Sequence, residues 1–201
     1  MNVVATLKQL PIDLGQGNLR STTKGKQIAM DAVPAAHPGA TALDIGCREG
    51  IQTRWLEQRG YRVTAIDKEP MYRQAHCVDI EKGLPYADAQ FDLLWCSEVI
   101  EHLHDVPAAL REFRRVLKPG GRMVLTTPCS YFWLMRCAGW LGFSAAQLQN
   151  PDHKQFFSLA DIRRLFPRAQ VYGYFPYMLV KLTLSRGIGL LSPTFVIVED
   201  K

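Results

Sequence analysis

Between Thr41 and Pro128 short apolar runs alternate with stretches of helical period. The runs are "TALDIG" (41–46), "YRVTAID" (61–67), "AHCVD" (75–79), "FDLLWCSEV" (91–99) and "RMVLTTP" (122–128). Helices are predicted at 51–59, closed by Gly60, and at 105–118. Asp105 can cap the second, Pro107 sits in its first turn, and Pro119-Gly120-Gly121 stops it. Val106, Leu110, Phe113 and Leu117 give it one apolar face. Strands alternating with helices pair in parallel, with helices over both faces, so the fold class is α/β. Helices at 23–33 and 158–166 and strands near 169–175 and 194–199 complete the reading, with residues 1–23 as a lead-in.

A chain of 201 residues makes one domain with a sizeable core. The five cysteines (Cys47, Cys77, Cys96, Cys129, Cys137) are odd in number and lack CxxC spacing. This argues against a disulfide framework or zinc knuckle and suits a reducing, cytoplasmic location. The N-terminal stretch lacks a signal-peptide pattern. Lys181 and Arg186 interrupt the apolar segment 171–198, so no membrane span of about 18 residues is expected. The net charge of +5 is scattered and no Lys/Arg run reaches five, a weak footprint for nucleic acid.

Ligands of parallel sheets sit beyond the C-terminal strand ends, at the switch point of strand order. After the first strand come Asp44, Gly46 and Gly50, where glycine allows a tight turn and close approach to backbone N–H groups. A helix opening near Gly50 aims free N–H groups and a positive dipole end at the ligand. Asp67 ends the second strand, where a carboxylate can accept from two ribose hydroxyls. Asp79 ends the third, within reach of an adenine amino group, and Ser97 and Glu98 end the fourth. Singly these residues are unspecific; the ordered set is informative.

Residues 40–128 resemble the class I S-adenosylmethionine-dependent methyltransferases, in the type 11 branch. The resemblance rests on "LDIGCREG", "VTAID", "CVDIEKGLPYADAQFDLLWCSEVIEHL" and "ALREFRRVLKPGGRMVLTTP". It implies a Rossmann-like three-layer sandwich with a seven-stranded, mostly parallel sheet. Strand 7 would be antiparallel between strands 5 and 6, which "TFVIVED" fits. It implies S-adenosyl-L-methionine as cofactor. Asp44, Gly46, Cys47 and Gly50 would form the loop against its methionine part, Asp67 would hold the ribose hydroxyls, and Lys68 would also bind the cofactor. Asp79 and Ile80 would lie at the adenine, and Ser97 near the sulfonium. The methyltransferase domain would span 40–201, with 1–39 as lead-in and helix and 129–168 as a substrate-side insert. Arg48 stands where most relatives have glycine. Because the rest of the loop, Asp67 and Asp79 are intact, a working loop is expected, with Arg48 at negative φ and its side chain outward; positive φ would cost roughly 1–2 kcal/mol.

Methyl transfer is an in-line displacement, and holding the reacting atoms collinear in a dry site supplies most of the acceleration. A base is needed only for a hydroxyl or protonated amine acceptor. His102 and His153 are the candidates, against the plainer reading that both pack or cap. His102 and His104 do not share a helical face and no third ligand is evident, so no metal is expected. The stretch "CSYFWLMRCAGWLGF" (129–143) reads either as a buried helix under the sheet edge or as an apolar lid. In the second reading Tyr131 and Trp133 touch a small-molecule, lipid or sugar-type acceptor, and peripheral membrane contact would suit the stretch. Arg111, Arg114, Arg115 and Lys118 read as a solvated helix face. Three alternatives are weaker. A nucleic-acid methyltransferase lacks its proline-aromatic motif where "CSEV" stands. A nicotinamide-binding protein lacks G-x-G-x-x-G. A non-catalytic cofactor-binding regulator would bind without turnover. The oligomeric state is not legible.

Overall fold

A computed structural model describes residues 23–175 and 181–201; the lead-in read for residues 1–22 lies outside them. One sheet contains β1 (Thr41–Ile45), β2 (Arg62–Asp67), β3 (His76–Cys77), β4 (Phe91–Ser97), β5 (Leu117–Pro128), β6 (Gln170–Phe175), β7 (Leu182–Leu184) and β8 (Thr194–Asp200). Their order is β3-β2-β1-β4-β5-β8-β6-β7. β1 to β5 run parallel, and β8 lies antiparallel between β5 and β6. The expected antiparallel strand is therefore present, but the described sheet has eight strands rather than seven. The addition is β7, which pairs antiparallel with β6 at the edge. Three residues are too few to display a two-residue period, so its sequence carries no strand signal.

Strand order reverses at β1 and β4, whose neighbouring C-terminal ends open a crevice. Both strands are buried on both faces: Ala42, Leu43, Ile45, Leu93, Leu94 and Trp95 are all 1% exposed or less. That explains their continuous apolar runs. The α-helices among the described residues are α1 (Lys24–Asp31), α2 (Ile51–Gln58), α3 (Val106–Val116), α4 (Trp133–Trp140), α5 (Ala145–Leu148), α6 (Leu159–Leu165) and α7 (Ile188–Leu191).

α3 follows its sequence signals closely. The Asp105 side chain accepts from the Ala108 amide, and Val106, Leu110, Phe113 and Val116 are buried. The helix ends at Val116, before the expected 118, because Pro119 disfavours helical backbone at Lys118. Its cations are not a merely solvated face. Arg114 grips Glu199 of β8 through Nε (2.6 Å) and Nη2 (3.0 Å). Arg115 pairs with Glu112 and donates to the Leu84 and Tyr86 carbonyls. Lys118 reaches Asp92 at 2.8 Å. These three cations are held in ties within the domain, which leaves little basic surface on α3 for phosphates. No helix among the described residues is long and apolar enough to cross a membrane.

Candidate active site

The loop leaving β1 turns on two glycines with positive φ. A Cβ at Gly46 (φ +76°) would meet Val99 Cγ2 at 2.3 Å, and one at Gly50 (φ +72°) would meet the Tyr72 ring at 2.5 Å. Side chains are excluded at both on steric and torsional grounds. The Gly46 and Cys47 amides both donate to the Ile66 carbonyl, which draws the loop onto β2. Arg48 corrects the sequence reading: its φ is +42°, not negative, although its side chain is exposed as expected. Asp44 is 1% exposed and accepts from Thr53 Oγ1 at 2.5 Å. Burial pushes its carboxyl up to about 6, against the lowering effect of that hydrogen bond.

Asp67 ends β2 with both oxygens anchored, Oδ2 by the Arg48 amide (2.9 Å) and Oδ1 by the Glu69 amide (2.8 Å). A carboxylate has about four acceptor positions, so two remain for a diol. Asp79 caps the short 3₁₀ turn Ile80–Lys82, accepting from the Glu81 amide at 3.2 Å. Lys68 approaches Asp79 at 3.7 Å with its side chain mostly in solvent. Ser97 Oγ hydrogen-bonds Thr126 Oγ1 at 2.8 Å. Burial pushes the Cys47 thiol up to about 12, so it is a neutral lining group and no nucleophile.

Asp44, Gly46, Cys47, Asp67 and Lys68 line one cleft of about 1710 Å³, together with Asp79, Ile80 and Ser97. Gly50 stands just behind it as the N-cap of α2. A glycine turn that admits a ligand to the backbone, with strand-end carboxylates beside it, suits a cofactor such as S-adenosylmethionine.

The same cleft continues to a second cluster. After β4, Glu98 takes a left-handed backbone (φ +58°), and a 3₁₀ turn, Ile100–His102, follows. The chain returning from α5 is stitched onto that turn: the Lys154 and Gln155 amides donate to the Glu101 carbonyl at 2.9 and 3.0 Å. His102 Nδ1 lies 3.1 Å from the Asp152 carbonyl. This brings His153 edge-on to His102, with ring centroids 4.9 Å apart. Both histidines line the cleft. Burial, and then the neighbouring His102, holds His153 down to about 4, so it is neutral at physiological pH. Removal from water raises Glu98 to about 7 and Glu101 well above the usual carboxylate range. The sequence carries little to mark Glu101: its signal is an acid directly before His102 in the turn after β4, three residues beyond Glu98.

Tyr131 and Trp133 do not line this cleft; they are 44% and 39% exposed. The buried-helix reading of this stretch is corrected as well. No residue of α4 is buried, and Trp140 is 96% exposed. Phe132 alone of the local aromatic group turns into the core, at 1% exposure.

A parallel sheet with one antiparallel strand beside β5, and acids at the ends of β1, β2 and β3 around one cleft, is the architecture of the class I S-adenosylmethionine-dependent methyltransferases. A family model described as methyltransferase domain matches residues 23–172, and the chain belongs to that family. It is similar to the malonyl-[acyl-carrier protein] O-methyltransferase of Pseudescherichia vulneris, with 40% identity over 45% of this chain and 40% of that one. It is also similar to the ubiquinone biosynthesis O-methyltransferase of Aeromonas salmonicida, with 30% identity over 63% of this chain and 60% of that one. The matched stretches thus span about half the length of these curated relatives. Among solved structures, a SAM dependent methyltransferase from Archaeoglobus fulgidus shares the fold, with a TM-score of 0.64 and 16% identity, covering 89% of this chain and 95% of that one.

Proposed function

We propose that this protein transfers a methyl group from S-adenosylmethionine to an oxygen of a small, apolar or amphipathic acceptor. One observation carries the reading: a single cleft runs from the strand-end acids Asp67 and Asp79 to the His102–His153 pair. A cofactor lying across β1 to β4 would therefore present its sulfonium methyl toward the turn after β4. In the reaction the acceptor oxygen forms a bond to the methyl carbon as the carbon–sulfur bond breaks. The electron pair stays on sulfur as a neutral thioether. Asp67 would hold the ribose diol and Asp79 the adenine amino group, while the Gly46 turn lets the backbone approach the methionine part. Cofactor sulfur and acceptor oxygen held in line supply much of the rate enhancement. His102 or His153 would accept the hydroxyl proton if the acceptor is a neutral alcohol or phenol.

Oxygen as the acceptor atom is supported by the two O-methyltransferase relatives. An apolar or lipid-type acceptor is supported by α4 and its C-terminal turn, which expose Trp140 and Leu141 close in sequence to the cleft residues. The test begins with calorimetric titration of S-adenosylmethionine, its demethylated product and NAD. Binding of the first two alone supports the class, and binding of NAD alone overturns it. Labelled-methyl transfer to hydroxyl, carboxyl and amine acceptors of graded chain length then identifies the acceptor class.

A further inference from the structure

We infer that Glu101, His102 and His153 form a site for a divalent first-row transition ion, beside the position of the transferred methyl group. One donor atom from each of the three residues lies within 4.8 Å of the others. Ligands about 2.1 Å from a common ion are about 3–4 Å apart, so the cluster closes on an ion by side-chain shifts of under about 1 Å.

Two polar atoms of this cluster are left without a hydrogen-bond partner in the protein. Glu101 is 1% exposed; its Oε2 accepts from Thr127 Oγ1 at 3.0 Å, but its Oε1 is buried with no partner. His153 Nδ1 is likewise buried without a partner. A buried polar atom without a partner costs about 1–3 kcal/mol, so one on each of two residues of the same cluster needs a reason. A cation held by both supplies it.

The surroundings match those of a ligand set. His102 Nδ1 is 3.1 Å from the Asp152 carbonyl. A carbonyl only accepts, so Nδ1 carries the proton and Nε2 keeps its lone pair for a metal. Metal-bound histidines are oriented in this way by an outer hydrogen bond. The Thr127 hydroxyl does the same for Glu101. The Lys154 and Gln155 amides pin the Glu101 carbonyl and so fix where the His153 segment crosses. Two imidazoles and one carboxylate favour zinc, iron, cobalt or manganese over magnesium or calcium, which prefer all-oxygen sets. Three protein ligands leave coordination positions open, and the two histidines face the cleft.

This inference deepens the proposed O-methyl transfer and rests on it for the ion's role. With the ion bound, His102 and His153 would serve as its ligands rather than as the base, and an acceptor hydroxyl in an open position would lose its proton to solvent water more readily, because the cation stabilises the resulting oxyanion. That oxygen then attacks the methyl carbon as the carbon–sulfur bond breaks. The device suits a phenol or an alcohol; a carboxylate acceptor needs no such activation.

The experiment uses the full chain, stripped with a chelator and titrated calorimetrically with Zn2+, Mn2+ and Mg2+ separately, without cofactor or acceptor. The Mn2+ arm is repeated by electron paramagnetic resonance. One equivalent is expected to bind, Zn2+ tighter than Mn2+ and Mg2+ weakest. His153→Ala and Glu101→Gln should each weaken Zn2+ binding at least tenfold. Should Glu101→Gln fail to fold, His102→Ala replaces it. Affinity for the demethylated cofactor, measured in parallel, should stay within threefold in each folded variant. The site is overturned by no stoichiometric binding of Zn2+ or Mn2+, or by binding that the variants leave unchanged. Metal binding with no cofactor binding would leave the site standing and sink the methyl-transfer reading instead.

Discussion

The Arg48 amide donates to Asp67 Oδ2 over 2.9 Å, while the Arg48 carbonyl accepts from the amides of Tyr72 (2.7 Å) and Met71 (3.2 Å). The most atypical residue of the glycine loop is thus the backbone junction between the ends of β1 and β2. Its φ of +42° is retained because hydrogen bonds on both sides of the residue hold it there. Arg48→Gly should relieve the left-handed strain while adding chain entropy to the unfolded state, for a net gain of up to about 1 kcal/mol. Cofactor affinity should stay within about threefold, or about 0.7 kcal/mol, because the contribution is the amide and not the side chain. Denaturant melts and calorimetry check the two halves. A gain of two decades in affinity would mean that the natural loop is impaired.

Asp67→Ala removes the acceptor for the Arg48 and Glu69 amides as well as the candidate ribose contact. Hydrogen bonds to a charged acceptor are worth about 1.5–3 kcal/mol, so affinity for the demethylated cofactor should fall by about one to two decades. Circular dichroism should show a folded variant, since the residue is at a strand end and only half-buried. Unchanged affinity would remove Asp67 from the site.

Much of this arrangement was legible because a period switch marks each strand end. Asp44, Asp67 and Asp79 stand where apolar runs stop, so topology alone brings them to one edge of the sheet. Other features lack a local signal. The φ of Arg48 is set by partners at Asp67, Met71 and Tyr72, and a side-chain identity does not report a torsion angle. Glu101 reads as an ordinary turn acid, because its burial comes from Thr127 and from amides 53 and 54 positions further along. His153 becomes a neighbour of His102 only because the chain after α5 returns to Glu101. Apolar composition also misled at α4, where sequence cannot distinguish a helix hidden under the sheet from one left facing solvent.

The raised Asp44 carboxyl has a consequence for stability. Its folded pKa, near 6, lies above the ordinary value of 3.8. Below about pH 4 the acid is protonated in folded and unfolded chains alike, and its ionisation does not affect stability. Between pH 4 and 6 the unfolded chain loses the proton first, so stability falls as pH rises. Above pH 6 the cost is complete, at roughly 3 kcal/mol for 1.36 kcal/mol per pK unit. Asp44→Asn keeps an oxygen for Thr53 but does not ionise. Its stability relative to the natural protein should therefore rise by roughly that amount from pH 4 to pH 7.5, measured by urea denaturation. A difference flat with pH would show that Asp44 is ionised in the folded protein at no such cost.

The exposed aromatics of α4 give the last expectation. Trp140 is 96% exposed and Trp133 39%, whereas Phe132 beside them is 1% exposed. A buried large aromatic costs about 3–5 kcal/mol when truncated, and a surface one usually less than about 0.5 kcal/mol. Phe132→Ala should therefore lower the melting temperature sharply, while Trp140→Ala and Trp133→Ala should barely move it. If α4 grips an amphipathic acceptor, the two tryptophan variants should raise KM for a long-chain acceptor several-fold. They should leave kcat, cofactor affinity and the KM of a short-chain acceptor almost unchanged. That split separates acceptor capture at α4 from the chemistry at His102 and His153. Equal KM values for both chain lengths in both variants would detach the exposed helix from acceptor recognition.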